Sequence, residues 1–359
     1  MEALQMFDSF CIRSSVNGAY SVEVSSNLDS ILSRLGSDAN HVFIIDSNIP
    51  VLFSAHFAEI LASSRYVVVE SSETNKSVDY AMLVIRKLIE VNVRKNDCLI
   101  AVGGGITQDI VAFISSILYR GVKWNFLPTT LLAQCDSCIG SKSSINFDQY
   151  KNLLGTFNPP QHIYIFPGFL AKLSDLAIKS GIGEMLHYFF FEGIELAEQI
   201  AEQYQDLISN RNGLPYFIGN SLRIKRSIIE LDEFDTSIRH VFNYGHTFGH
   251  AIEAITNYDI VHGQAVSIGM DIANYISMEK GWLSADDFNR MHAILEKNIP
   301  FFRITPENIE AYCTALSKDK KNKGNQLGCI LSRKPGKLEK TFIEIDADFR
   351  QMLLAYSSR

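Results

Sequence analysis

No apolar run in this 359-residue sequence approaches the roughly 20 consecutive residues that a membrane span requires. The opening stretch MEALQMFDSFCIRSS has no basic segment followed by an apolar one, so the expectation is a cytoplasmic protein with no membrane partner. Positive charge is in deficit, 33 basic residues against 40 acidic, and a formal charge of −7 argues against general nucleic-acid binding. Cysteine is sparse and scattered at positions 11, 98, 135, 138, 313 and 329, which suits reduced thiols. CDSC (135–138) has the CxxC spacing, but no second pair exists to complete a zinc knuckle, so both thiols read as packing around Asp136. The GxGxxG dinucleotide fingerprint is missing as well.

What is present begins with an alternation. HVFIID (41–46), RYVVVES (65–71), DCLIAVGGG (97–105) and VKWNFLPTTLL (122–132) read as strands. The segments at 54–64, 78–93 and 106–121 between them read as helices, the pattern of a parallel sheet with crossover helices. After NPPQHIYIFPGFL (158–170) helical periodicity takes over to about Leu316, with a late strand pair at 328–345. The expected architecture is an α/β dinucleotide-binding domain, 1–166, followed by a mainly α-helical metal- and substrate-binding domain, 167–359.

VGGGITQD (102–109) joins a strand to a helix. Glycines there permit close backbone approach to a phosphate, and the helix N-terminus adds unpaired N–H groups and positive dipole. The reading is a dinucleotide phosphate site, against the plainer one of a tight turn.

NYGHTFGHAIEAITNYDIVHG (243–263) holds three of the nine histidines. His246 and His250 are four apart and share a helix face, and His262 begins a further helix. Core packing, catalysis and metal binding are all open to them. Metal binding of the histidine-plus-acid kind needs a carboxylate, and GEMLHYFF (183–190) offers Glu184 among apolar neighbours. His187, one turn on, is a competing ligand. Lys142, Lys151–Asn152, Lys225, Arg239 and Lys320–Lys321 add cationic and polar groups that together suggest an anion-binding cleft between the domains.

GGGITQDIVAFISSILYRG, LPTTLLAQCDSCIGSK, YKNLLGTFNPP, SGIGEMLH and NYGHTFGHAIEAI…HG, in this order, resemble the 3-dehydroquinate synthase and wider sugar phosphate cyclase family. The resemblance covers nearly the whole chain after residue 40. It implies a homodimer that uses NAD and Zn2+ (or Co2+) to cyclise an anionic sugar phosphate, 3-deoxy-arabino-heptulosonate 7-phosphate in the name-giving reaction, with loss of phosphate. Glu184, His246 and His262 fall at its metal positions. Asp46, Asn48, Glu73, Lys76, Gly104, Gly105, Ile106, Asp109, Thr129, Thr130, Asp136, Ser137, Lys142 and Lys151 fall at or beside cofactor positions. Asp136, Lys142, Lys151, Asn152, Lys225, Arg239, Asn243, His250 and Lys320 of the Lys320–Lys321 pair match substrate-lining positions, and Arg120 matches an arginine that reaches the neighbouring subunit.

One departure stands out: where the family's ExxK pattern has lysine, this chain has His187. A sister cyclase with another sugar phosphate is the near alternative, and His187 is expected to face the metal group rather than solvent. A metal-dependent polyol dehydrogenase is the rival from another class, disfavoured by Lys142 and Lys151–Asn152.

Overall fold

The computed structural model of the chain describes residues 8–148, 150–318, 322–324 and 326–358. Lys320, expected to line a substrate, lies outside the described residues. Strands β1 (Phe10–Ser14), β2 (Gly18–Val24), β3 (His41–Asp46), β4 (Arg65–Val69), β5 (Cys98–Gly103) and β6 (Lys123–Pro128) all belong to one sheet. A separate hairpin, β7 (Ile145–Phe147) and β8 (Tyr150–Leu154), precedes its last strand, β9 (His162–Ile165). The sheet order is β1-β2-β9-β6-β5-β3-β4, and every pairing is parallel except β1 with β2. Val42–Ile45 and Leu99–Val102 are fully buried. That is why these strands read as unbroken apolar runs: helices cover both faces of a parallel sheet.

The winding reverses between β3 and β5. From β3 the chain moves outward to β4, then returns to the other side of β3 and continues through β5, β6 and β9. Such a switch point leaves a crevice at the carboxyl ends of the strands, where open α/β sheets take their ligands.

The helix expected over 106–121 runs from Gly105 to Ile117. It stops because Tyr119 (φ 49°), Arg120 (φ 59°) and Gly121 (φ 113°) turn to positive φ in succession. Lys95 Nζ holds this corner through the carbonyls of Tyr119 and Gly121.

The chain divides into two units, Met1–Leu173 with Leu214–Phe234, and Ser174–Gly213 with Asp235–Arg359. This differs from the single cut expected at 166/167, because the helix Leu214–Ile229 belongs with the sheet. Polar contacts decide its place: Lys225 Nζ lies 2.8 Å from Asp136 Oδ1, Glu230 pairs with Arg13 at 3.2 Å, and Glu233 accepts from Ser14 Oγ at 2.7 Å. Helical periodicity alone does not say which body a helix packs on.

The second unit is helical, with one antiparallel hairpin, β10 (Gln326–Lys334) and β11 (Lys337–Glu344). Its centre is the helix His262–Glu279, buried at every position from Gly263 to Ser277. Asp175–Glu192 is nearly as enclosed, buried throughout Gly181–Phe190. Helices apolar all round belong in the middle of a bundle.

Candidate metal and nucleotide sites

In the first unit several of the predicted cofactor residues lie at the carboxyl ends of β3, β5 and β6. Asp46 ends β3, and its Oδ1 accepts from the backbone and side-chain nitrogens of Asn48 at 2.9 and 3.0 Å. Gly104 and Gly105 follow β5 and open the helix Gly105–Ile117, of which Ile106 forms the first turn. Thr129 and Thr130 follow β6 alongside. A Cβ on Gly104 would stand 3.0 Å from Thr130 Cγ2, so the two turns already fit closely with glycine there. Ser137 Oγ donates to Gln108 Oε1 at 2.6 Å, tying the next loop to the same helix. Bare N–H groups at a helix start beside a switch point suit a nucleotide's phosphates.

A polar network lies nearby in the same unit. Lys76 Nζ is 2.6 Å from Asp109 Oδ2 and donates to Asn152 Oδ1 at 2.8 Å. Burial pushes the Asp109 carboxyl up from its ordinary pKa, while Lys76 and the Ser144 donors oppose it. Glu73 accepts from Asn146 Nδ2 at 2.9 Å and sits 3.4 Å from Lys151 Nζ. Residues expected to bind cofactor (Glu73, Lys76, Asp109) and residues expected to line substrate (Lys151, Asn152) are therefore joined directly. Ser144 and Asn146, which sequence reading passed over, complete the linkage. Lys225 is buried and held by Asp136. Lys142 and Arg120 are exposed.

In the second unit three helices bring one carboxylate and two imidazoles together. Glu184, His246 and His262 each offer a ligand atom, all within 4.8 Å of one another. Glycines make this possible. A Cβ on Gly183 would overlap the Gly263 carbonyl, and one on Gly263 would overlap the Ser180 carbonyl. The helices thus cross backbone to backbone, with Glu184 and His262 adjoining the crossing. Gly263 N–H donates to Ser180 Oγ at 3.1 Å, which satisfies an otherwise orphaned donor of the His262 helix. Gly269 meets Gly245 in the same way, and Gly245 (φ 78°) turns the chain into the His246 helix.

Both histidines present Nε2 to the buried Glu184 carboxylate, His262 at 2.9 Å and His246 at 3.7 Å. Their Nδ1 atoms are engaged elsewhere: His246 with the Tyr244 carbonyl at 3.1 Å, His262 with Glu253 Oε2 at 3.2 Å. Despite the 2.9 Å approach, Glu184 Oε1 accepts no hydrogen bond of proper geometry, and it is buried. A buried carboxylate oxygen facing two imidazole nitrogens, without a proper donor, fits a divalent cation. Burial works against the His262 imidazolium, but Glu184 and Glu253 outweigh it and hold its pKa well above the ordinary value. A cation bound there takes the place of that proton.

His187 is 2% exposed, and its Nδ1 stands 3.4 Å from Glu184 Oε2. Its ring meets Tyr188 at 3.9 Å and stands edge-on to His246 at 5.3 Å. His250 stacks on His262 with centroids 5.6 Å apart. Arg239 and Asn243 belong to the turn Ile238–Asn243 just before this cluster, with Arg239 buried and Asn243 Nδ2 donating to the His240 carbonyl at 3.1 Å.

The fold is shared with known cyclases. A 2-epi-5-epi-valiolone synthase from Streptomyces hygroscopicus subsp. jinggangensis, solved with NAD+ and Zn2+ bound, superposes with a TM-score of 0.84 at 23% identity, covering 95% of this chain and 97% of its own. A 2-deoxy-scyllo-inosose synthase complexed with carbaglucose-6-phosphate, NAD+ and Co2+ gives 0.84 at 21% identity over 96% and 99%. Family models for the N-terminal and C-terminal parts of 3-dehydroquinate synthase match residues 66–180 and 181–322. The 3-dehydroquinate synthase of Dictyoglomus turgidum is 36% identical over 282 residues, 78% of this chain and 79% of its own length. The chain belongs to the 3-dehydroquinate synthase family.

Proposed function

We propose that this enzyme cyclises a sugar phosphate with elimination of phosphate, using NAD and a zinc or cobalt ion, and that 3-deoxy-arabino-heptulosonate 7-phosphate is its substrate and 3-dehydroquinate its product. The observation that carries the proposal is the grouping of Glu184, His246 and His262 within 4.8 Å around a buried carboxylate, in a chain of this family. When bound, NAD supplies reversible two-electron redox chemistry and the cation supplies Lewis acidity toward substrate oxygens.

The residues divide the remaining work. Glu184, His246 and His262 hold the cation, leaving positions open for substrate oxygens. The glycine turn and the threonines beyond β6 seat the nucleotide. Lys142, Lys151, Arg239 and His250 supply donors for phosphate and carboxylate, each charge-assisted hydrogen bond contributing about 1.5–3 kcal/mol. Lys225 holds Asp136 in place from its buried position. Arg120, exposed on its positive-φ corner, is available to a second copy in a homodimer.

Redox-neutral use of NAD is the discriminating test. Phosphate release from the heptulosonate should require NAD while absorbance at 340 nm stays flat, because the electrons return to the substrate within each cycle. Stoichiometric NADH would identify a polyol dehydrogenase instead.

His187 favours one second reading, a sister cyclase with a different sugar phosphate. An imidazole titrates near neutrality, whereas the lysine of the family pattern keeps its charge. On the heptulosonate, His187→Lys is expected to preserve or raise kcat/KM. A fall of tenfold or more on a different sugar phosphate that the wild type turns over, with the fold intact by circular dichroism, would point to that sugar phosphate as the substrate.

A further inference from the structure

Glu253 carries no role in the motifs quoted above, yet it touches the histidine cluster. It lies on the His246–Ile255 helix, seven residues after His246 and three after His250, so all three share a face. Its side chain is 13% exposed, and Oε2 stands 3.2 Å from His262 Nδ1. An ionised carboxylate only accepts hydrogen bonds, so Nδ1 must be the nitrogen that donates. That leaves Nε2, 2.9 Å from Glu184 Oε1, as the nitrogen whose lone pair is available to a cation.

We infer that Glu253 is a positioning residue: its carboxylate fixes the orientation and tautomer of the His262 ring, so that Nε2 faces Glu184 and His246. The inference rests on the metal reading above and deepens it. Histidines that ligate metals usually donate their other ring N–H to an acceptor, and losing that acceptor typically weakens metal affinity by about 10- to 100-fold. His246 has the equivalent support from a backbone carbonyl, that of Tyr244, which no side-chain substitution removes. His262 depends on a side chain. A competing geometry exists, since His250, Glu253 and His262 also offer ligand atoms within 4.8 Å of one another. Glu253 would then ligate a second cation, but only with His262 bridging two ions through both ring nitrogens.

The test uses the intact chain as wild type, Glu253→Ala and Glu253→Gln. Zn2+ affinity is read by chelator competition, metal equivalents per chain by elemental analysis, and site geometry by the visible absorption of the Co2+ form. Wild type should bind one equivalent. Glu253→Ala should bind Zn2+ about 10- to 100-fold more weakly and show an altered Co2+ spectrum, while its metal-free form keeps the wild-type circular dichroism. Glu253→Gln, which retains an oxygen to accept from Nδ1, should lose less than the alanine variant. Unchanged affinity and Co2+ spectrum in Glu253→Ala would overturn the inference. Two equivalents in wild type, one of them lost in the variant, would make Glu253 a ligand instead. Wild type binding no metal would remove the metal reading and this inference with it. Should Glu253→Ala not fold, several-fold weaker binding by Glu253→Gln supports the inference and unchanged binding rejects it.

Discussion

His246→Ala is expected to leave a folded protein that retains no divalent metal through gel filtration and releases no phosphate from a sugar phosphate. The substitution removes one of the three residues that, among the described residues, group around the proposed cation. Of that group a buried carboxylate and one imidazole remain, fewer ligands than a catalytic zinc site uses. The loss in metal affinity should exceed the roughly 100-fold that marks the loss of a supporting group, so it should be larger than that of Glu253→Ala. His246 sits at the start of its helix with its side chain only 14% exposed, so truncation also leaves a void that lowers stability. Circular dichroism therefore checks that the metal-free variant still folds. Full metal content in His246→Ala would reject the three-residue assignment.

Gly263→Ala should be among the most destabilising single changes in the second unit. The new Cβ would overlap the Ser180 carbonyl, which is backbone inside a helix buried from Gly181 to Phe190 and cannot swing aside. Relief requires the two helices to move apart, which pulls His262 from Glu184. Overpacking of this kind costs about 3 kcal/mol or more, and thermal unfolding should begin several degrees lower. Gly281→Ala is the control. Gly281 has φ of 68° with no atom within 4 Å of an added Cβ, so only the backbone penalty of about 1–2 kcal/mol applies. Equal shifts for the two variants would show that the crossing tolerates a methyl group.

The sheet was largely legible because β3, β5 and β6 are buried on both faces and read as unbroken apolar runs. The pair β1 and β2 was not: FCIRS and GAYSVEV bury only alternate residues, and Arg13 and Glu23 break their apolar character. The Leu214–Ile229 helix was visible as a helix but not as a part of the first unit. What places it is the pairing of Lys225 with Asp136, 89 positions earlier, which no local pattern encodes. In the second unit, spacing alone put His187 on the Glu184 side of its helix. Glu253 is not legible as a functional residue, because a glutamate on an amphipathic helix ordinarily reads as solvated. The available signal was its i+7 and i+3 relation to His246 and His250.

The return of Leu214–Phe234 to the first unit also sets an order of events during synthesis. When Leu173 leaves the ribosome, the strands of the sheet exist, but the ammonium destined for Asp136 and the carboxylates destined for Arg13 and Ser14 have not been made. At roughly 5–20 residues per second the nascent chain waits several seconds for them. During that interval the Ser174–Gly213 helices have emerged while their partners, the His246 and His262 helices, have not. Neither unit can close before the other has begun. A gene cut after codon 173 would therefore express a sheet lacking its Lys225 helix rather than an autonomous nucleotide-binding module.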